Sequence, residues 1–172
     1  LRNRPLAQRT VMEISVVVMA LASLLLFLRV RGGYELIMAF GGWVRPIAIS
    51  FRADALGGTL SLVTGLIGIA GIIYARADVA ARRRRAGFDS LFLALLAAVN
   101  GAFLTGDLFN LYVWFELMLV CALGLITLDR RKAQIDGAVR YAVLSMLGAT
   151  FILTGIAFVV AEAGTLELHD LR

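Results

Sequence analysis

The sequence predicts an all-α fold, a polytopic transmembrane helix bundle of about five helices, and two observations lead to it. Of the 172 residues 60% are hydrophobic and the mean hydropathy is +0.87, whereas a soluble domain is ordinarily about half apolar. The charged residues, 17% of the chain, fall in clusters between long apolar runs instead of covering the outer face of every helix. The chain therefore predicts lipid around most of its surface.

Five apolar stretches are long enough to cross the hydrocarbon core, which takes about 20 helical residues at about 1.5 Å each. Unpaired backbone is too costly in lipid and no stretch alternates as barrel strands do, so each stretch is predicted to be a helix. The predicted helices are residues 11–28, 56–74, 88–105, 108–128 and 139–161. Together they form a single membrane-embedded unit over residues 1–172.

The apolar stretch of residues 36–51 is predicted to be a structured loop rather than a further helix. Proline removes a backbone donor and breaks a helix, and this stretch contains Gly41, Gly42, Arg45 and Pro46. The aromatic rings of Tyr34 and Trp43 suit the membrane interface, where a ring can be half wet.

Small and capping residues indicate how the predicted helices pack and begin. The helix at 56–74 carries small residues at intervals of three or four, which let membrane helices approach closely: Gly57, Ser61, Gly65, Gly68 and Gly71. Asp107 precedes the helix at 108–128, where its carboxylate is placed to accept hydrogen bonds from the free amides of the first turn.

The arginine and lysine distribution predicts the orientation in the membrane. If the N-terminus is cytoplasmic, the loops on that side carry twelve of the 17 basic residues and the opposite side carries five. The positive-inside rule favours this arrangement, which leaves the C-terminus outside. We expect a multi-pass protein of a bacterial or archaeal cell membrane. The run of arginines at 82–85 fits a topological role facing solvent or anionic lipid.

Several functional classes are not supported by the residues. Nucleic-acid binding is not expected, because the basic residues lie in short loops and form no face that would contact phosphates. Cys121 is the single cysteine and His169 the single histidine, so no disulfide or metal site is predicted. No phosphate-binding glycine loop, haem-ligand pair or Ser/His/Asp arrangement occurs, so we expect no cofactor and no covalent enzyme chemistry.

Glu116 is the residue that most strongly indicates a function. It lies near the middle of the predicted helix 108–128, far from either aqueous surface. A carboxylate at that depth costs several kcal/mol unless it is protonated, paired or facing a hydrated cavity. A proton or cation path is the usual reason for such a residue, so Glu116 is predicted to carry protons. The structural alternative is a protonated acid that forms a hydrogen bond to a neighbouring helix, and such a bond stabilises a membrane protein by about 1 kcal/mol.

Four further residues are candidates to support Glu116. Tyr112 lies one turn earlier on the same helix face, and Phe115 flanks the carboxylate directly. Asn100 is on the preceding helix, and Asn110 is nearer the start of the helix that carries Glu116. For the hydroxyls of Ser145, Thr150 and Thr154, bonds back to their own helix are the expected role.

These residues suggest a family. The run at 105–119, Thr-Gly-Asp-Leu-Phe-Asn-Leu-Tyr-Val-Trp-Phe-Glu-Leu-Met-Leu, resembles the signature of the D-type subunits of Mrp multisubunit cation/proton antiporters. Gly-Gly-Trp at 41–43, Pro46, Ile49, Asp-Ala-Leu at 54–56, Arg-Tyr at 140–141 and Gly-Thr-Leu at 164–166 fit the same family in order.

The resemblance implies a fragment, incomplete at both ends, of a subunit with about fourteen helices, in agreement with a chain that begins with Leu1. In that family the glutamate matched by Glu116 works with a lysine on the seventh helix, beyond the end of this chain. The implied partners are the other subunits of a hetero-oligomeric membrane complex, protons, monovalent cations and the lipid bilayer.

Two alternatives stay open. The large antiporter-like subunits of respiratory complex I and of membrane-bound hydrogenases share the fold and the glutamate, so a redox-driven proton-pumping module, within an NADH:quinone oxidoreductase, is one alternative. The other is a structural membrane subunit in which Glu116 only forms a buried hydrogen bond. Which cation is exchanged does not follow from the sequence.

Overall fold

The computed structural model of the protein describes residues 5–40 and 49–171. Within these residues it contains six helices and two short strands. They are α1 (Pro5–Val30), β1 (Leu36–Ala39), β2 (Ser50–Ala53), α2 (Ala55–Asp78), α3 (Ala81–Arg85), α4 (Phe88–Leu104), α5 (Leu108–Ile126) and α6 (Lys132–Ala163).

The five long helices confirm the predicted all-α bundle. Four of them, α1, α2, α5 and α6, are long and apolar enough to cross a membrane, and α4 is a shorter apolar helix of 17 residues. α6 begins at Lys132, seven residues before the predicted start at residue 139. Its first two turns are helical but polar, so a prediction from hydropathy does not include them. Gly164 ends α6 in the left-handed conformation, with φ of 69°, which glycine adopts without steric cost.

The prediction of a loop at residues 36–51 is wrong for the ends of that stretch. β1 and β2 form an antiparallel pair in which Leu36 faces Ala53 and Ala39 faces Ser50. Pairing satisfies backbone groups that would otherwise be left without partners at the membrane boundary. The predicted loop residues Gly41, Gly42, Trp43, Arg45 and Pro46 lie outside the described part of the chain, and the Tyr34 ring is exposed.

The core lies among α1, α2 and α4. Met12, Val16, Ile72 and Leu96 form its buried cluster. The glycine face of α2 packs here as predicted: a Cβ on Gly65 would lie 2.9 Å from the Ala20 Cα, too close for any side chain. Close backbone approach, rather than large side chains, therefore sets the distance between α1 and α2.

α5 and α6 are added to one side of this core. α5 packs on α4 by fitting large side chains onto small residues, because the Trp114 indole lies against Gly101 and the Leu91 side chain against Gly124. α6 packs on α5, and only 6% of its most apolar window is buried within the described residues. One broad apolar face of α6 is thus left exposed.

Polar contacts gather at the two ends of the bundle. The end that we call the sheet end contains β1, β2 and residues 105–107 and 166–168, joined by the bridges Phe51–Thr105 and Asp107–Glu167. The opposite end, the arginine end, contains Glu13, Arg76, α3 and Asp129. There Arg76 donates two hydrogen bonds of 2.8 Å to Glu13, which joins α2 to α1.

The arginine run at 82–85 does more than face solvent. Arg83 holds the Asp129 carboxylate at 2.6 Å and Arg82 approaches it at 3.0 Å, which ties α3 to the loop between α5 and α6. Arg84 is buried, and it donates to the Asp89 carboxylate at 2.6 Å and to the Ala75 carbonyl at 2.7 Å. These arginines therefore fix the connectors of the bundle.

Gly101→Ala is expected to weaken the contact between α4 and α5. The added Cβ would clash with the Trp114 indole, and overpacking of this kind costs about 1–3 kcal/mol. Gly137→Ala in α6 is the matched control, because a Cβ there meets nothing within 4 Å among the described residues. Thermal unfolding of the detergent-solubilised full-length protein should show a lower Tm for the first variant only. Equal Tm values for the two variants would contradict this packing.

Asp129→Asn is expected to loosen the arginine end in a pH-dependent way. The hydrogen bond from Arg83 lowers the pKa of Asp129 below its ordinary value of 3.8, with the charges of Arg83 and Arg82 acting in the same direction. Because the pKa of Asp129 is lower in the folded state than in the unfolded state, its ion pair stabilises the fold above pH 3.8. This stabilisation is lost as the pH falls through the pKa of Asp129 in the folded state.

The Tm of Asp129→Asn should accordingly be below that of the wild type at pH 7, and the gap should close as the pH falls below 3.8. Asp136→Asn, at an exposed α6 residue without an ion pair in the described chain, serves as the control. A gap that persists unchanged in acid would show that the ion pair is not its cause.

Candidate functional site

Glu116 lies at the centre of α5, as the ninth of its nineteen residues. The helix begins where predicted, because the Asp107 carboxylate caps it by accepting a hydrogen bond of 2.6 Å from the Asn110 amide. The Glu116 side chain is partly exposed and forms no hydrogen bond or ion pair with the described residues. α5 thus places an unpaired carboxyl group halfway across the apolar layer.

The carboxyl group lies in a groove between α5 and α6. We call this the α5–α6 groove; its volume is about 420 Å³ and Leu95 of α4 closes one side. Its lining is mostly apolar, and Glu116 is the one charged residue in it within the described chain. The lining residues are Leu95, Tyr112, Phe115, Glu116, Met118, Leu119, Ala122, Tyr141, Ser145, Gly148, Ala149 and Ile152.

Two of the four predicted supporting residues lie in this groove. Tyr112 precedes Glu116 by one helical turn and Phe115 is adjacent to it, and both line the groove. The phenol of Tyr112 is the nearest hydroxyl on the same helix face. The helical period of α5 alone is enough to predict this pair.

Asn100 lies elsewhere, within the core rather than in the groove. Its side-chain carbonyl accepts a hydrogen bond of 2.6 Å from the Ser61 hydroxyl, which lies 2.9 Å from the Ser23 hydroxyl. Its amide donates to the Leu96 carbonyl and to the Met19 sulfur. These hydrogen bonds satisfy the polar atoms of the Asn100 side chain and link α1, α2 and α4. The expected support of Glu116 by Asn100 is therefore absent from the described structure.

Asn110 likewise supports the start of α5 instead of the groove. Its side-chain amide donates to the Thr105 hydroxyl at 2.9 Å, and its backbone amide is the one capped by Asp107. Six residues separate Asn110 from Glu116, which turns the two side chains to different faces of the helix. Asn110 therefore fixes the junction between α4 and α5.

The α6 side of the groove is not among the sequence predictions. Tyr141, Ser145, Gly148, Ala149 and Ile152 line it, and their spacing of three to four residues is a helical stripe that is visible in the sequence. Thr150 and Thr154 are turned away from this role, because their hydroxyls donate to the Met146 and Thr150 carbonyls of α6, as expected.

The chemistry available to this site is proton binding. A carboxylate that faces apolar surface without a counter-charge is unfavourable, whereas the protonated acid is neutral and tolerated. Tyr141 and Ser145 offer hydroxyls on the opposite wall, and no basic side chain lines the groove within the described residues. An added cationic group in the groove would favour the ionised form, so the site can exchange a proton for a charged partner.

Comparisons with known proteins agree with this geometry. The family model described as NADH dehydrogenase I, subunit N related protein matches residues 81–172, which contain α4, the groove and the sheet-end residue Glu167. The D-type subunit of the Na⁺/H⁺ antiporter of Alkalihalophilus pseudofirmus is 33% identical over 164 residues, covering 95% of this chain and 33% of that protein. The chain thus spans about a third of the length of that relative. The resemblance found at residues 105–119 is confirmed.

Two solved membrane complexes contain chains with the same fold. A chain of the Mrp complex from Dietzia sp. DQ12-45-1b superposes with a TM-score of 0.87 at 27% identity, over 95% of this chain and 31% of that one. A chain of the membrane-bound sulfane sulfur reductase, an archaeal respiratory membrane complex, gives 0.85 at 26% identity, over 92% and 33%. With its apolar helices, the chain is part of a multi-pass membrane protein.

Proposed function

Because this chain belongs to the family of proteins related to subunit N of NADH dehydrogenase I, we propose that it is part of a proton-translocating subunit of a multisubunit Na⁺/H⁺ antiporter. The observation that carries the proposal is the unpaired carboxyl group of Glu116 at the centre of α5, open to the α5–α6 groove. Neither packing nor capping accounts for a carboxylate there, since Leu or Gln would fill the same space at lower cost.

Glu116 takes up a proton from one side of the membrane and releases it to the other as its surroundings change. An apolar groove accommodates a neutral carboxylic acid at lower cost than a carboxylate without a counter-charge. A cationic side chain brought against the open groove would stabilise the carboxylate and release the proton. The resemblance assigns that cation to a lysine on a later helix of the full-length subunit. Tyr112 and Phe115 bound the path on the α5 side.

The surroundings of the groove favour a protein that continues beyond this chain. α6 exposes a continuous set of large apolar side chains, and the chain covers 33% of its antiporter relative. Later helices of the same subunit would cover this face, and the other subunits of a hetero-oligomeric complex would surround it. The protein then acts as a transporter subunit and not as an enzyme.

The arginine end is proposed to face the cytoplasm. Twelve of the 17 basic residues belong to the loops that would lie there, and positively charged loops are retained on the cytoplasmic side. The hydrogen bonds of Glu13 to Arg76 and of Asp129 to Arg83 place the first, second and third of these loops together at one end. The sheet end would then lie outside.

Respiratory complexes supply the second candidate function. The chain of the sulfane sulfur reductase superposes almost as well as the chain of the Mrp complex. The family model that matches is described as related to subunit N of NADH dehydrogenase I. In that case the same groove would carry protons driven by electron transfer rather than by cation exchange. Membranes that acidify the vesicle interior on adding a reductant, but show no cation-dependent proton movement, would support this candidate.

Glu116→Gln in the full-length, assembled complex tests the proposed role of the carboxyl group. Everted vesicles from antiporter-deficient cells should show Na⁺-dependent collapse of a preformed ΔpH with the wild type, and only background collapse with the variant, since an amide cannot exchange a proton. Glu162→Gln, which changes an exposed carboxylate of α6, is the matched control and should retain exchange. Full exchange by Glu116→Gln at equal assembly would leave Glu116 a structural role.

Ala149→Phe tests whether the α5–α6 groove is part of the path. Ala149 lines the groove from α6, so a phenyl ring there would fill space that water or a partner side chain needs beside Glu116. Exchange should fall to background, while Ala149→Ser, a small change at the same position, should preserve it. Subunit content after purification serves as the assembly check, and normal exchange by an assembled Ala149→Phe complex would remove the groove from the mechanism.

A further inference from the structure

The sheet end brings together two carboxyl groups that have no part in the α5–α6 groove. Asp107 precedes α5 and Glu167 follows α6, and they face each other in an antiparallel bridge. The bridge is bounded by hydrogen bonds from the Leu108 amide to the Leu166 carbonyl at 3.0 Å and from the Leu168 amide to the Gly106 carbonyl at 2.9 Å. In such a pair the two side chains leave the backbone on the same side and lie close together.

Both side chains are buried and one carboxyl oxygen lacks a partner. Asp107 and Glu167 are each 5% exposed. The Asp107 carboxylate accepts from the Asn110 amide, and Glu167 Oε2 lies 3.0 Å from the Ser50 hydroxyl that donates to it. Glu167 Oε1 is buried without a hydrogen-bond partner among the described residues. A buried oxygen without a donor is costly for a carboxylate but not for a carboxyl group that carries its own proton.

The nearby charges do not neutralise the pair. Arg52 is the basic residue of β2; its Nη2 donates to Glu35 at 2.6 Å, and its Nε is buried without a hydrogen-bond partner among the described residues. No ion pair joins Asp107 or Glu167 to a basic side chain within the described chain. The other charged or titratable groups that the structure describes at the sheet end are acidic or exposed: Asp54, which caps α2, the exposed Arg29, Arg31, Tyr34 and Glu35, and His169 and Asp170 at 3.5 Å from each other.

We propose that Asp107 and Glu167 form a proton-binding site, in which the two carboxyl groups hold one proton between them. Two carboxylates that share a buried site cannot both be ionised at low cost, so the pair retains a single proton and titrates as a unit. In agreement, burial and the charge of Glu167 raise the pKa of Asp107 above its ordinary value of 3.8. This site is independent of the role proposed for Glu116.

The shared proton holds three connectors of the sheet end together. Asp107 belongs to the junction of α4 and α5, Glu167 to the segment after α6, and Ser50 to β2. Loss of the proton would place two negative charges in the bridge and separate these segments. The structure therefore assigns to the sheet end a latch that opens as the pH rises.

Infrared spectroscopy of the purified full-length complex tests the site directly. Infrared difference spectra taken across a pH titration should show, in the wild type, the D₂O-sensitive carbonyl stretch of a buried protonated carboxyl group. The component due to the pair should be lost from both Asp107→Asn and Glu167→Gln, whereas any contribution from Glu116 should remain. In each variant the new side-chain amide can donate a hydrogen bond to the remaining carboxyl group, which then no longer needs a proton to satisfy its buried oxygen. Asparagine also caps helices well, so Asp107→Asn preserves the start of α5.

Asp170→Asn, which changes an exposed neighbour, is the control and should leave the band unchanged. Retention of the component due to the pair in both pair variants would overturn the proposal. So would displacement of the proton by Na⁺ or K⁺ at constant pH, because the pair would then be a cation site.

Thermal unfolding gives a second readout. A raised carboxyl pKa means that the native state binds more protons than the unfolded state above pH 3.8, so stability falls as the pH rises through the native value. Asp107→Asn should remove this fall while Asp170→Asn keeps it. The same pH dependence in wild type and Asp107→Asn would show that the pair does not hold a proton.

Discussion

The cost of an ionised carboxyl group in hydrocarbon is the constraint on which the functional part of this structure depends. α5 is apolar along most of its length, and its one acidic residue, Glu116, lies halfway between its ends. A charged group at this depth is tolerated only beside water, a counter-charge or a hydrogen-bond partner. The described residues supply a groove with hydroxyls but no counter-charge. In the proposed mechanism a cationic group that reaches the groove supplies the missing counter-charge, and this change of surroundings drives the release of the proton.

The two faces of α5 show how a rigid support and a changeable site are combined in one helix. Toward α4, Trp114 fits onto Gly101 so closely that not even a Cβ is accommodated, and Leu91 fills the space over Gly124. Toward α6 the contact is loose and leaves a groove. Tight packing on one side fixes the position of the carboxyl group, and the loose side lets its surroundings change without disturbing the core.

Hydropathy and helical period are enough to predict much of this arrangement, whereas contacts between distant segments are not. The apolar runs locate the five long helices, and Tyr112 and Phe115 follow from the position of Glu116 on the same helix, because these inferences concern residues close in sequence. Asn100 lies on the helix before the one that carries Glu116, but its hydrogen-bond partner is Ser61 of α2. Only the tertiary packing determines this partner. The arginine run likewise identifies a charged loop but not its partner Asp129, about 46 residues away.

The two ends of the bundle have opposite electrostatic arrangements: carboxylates meet arginines at one end, and two carboxyl groups meet each other at the other end. At the arginine end, the Glu13 and Asp129 carboxylates each meet a guanidinium, so these connectors are held by ion pairs. At the sheet end, Asp107 and Glu167 meet each other across a backbone bridge, and in the proposed site a shared proton removes the repulsion between them. A membrane protein exposed to a proton gradient thus has one end held by ion pairs and one end that is proposed to respond to the loss of a proton.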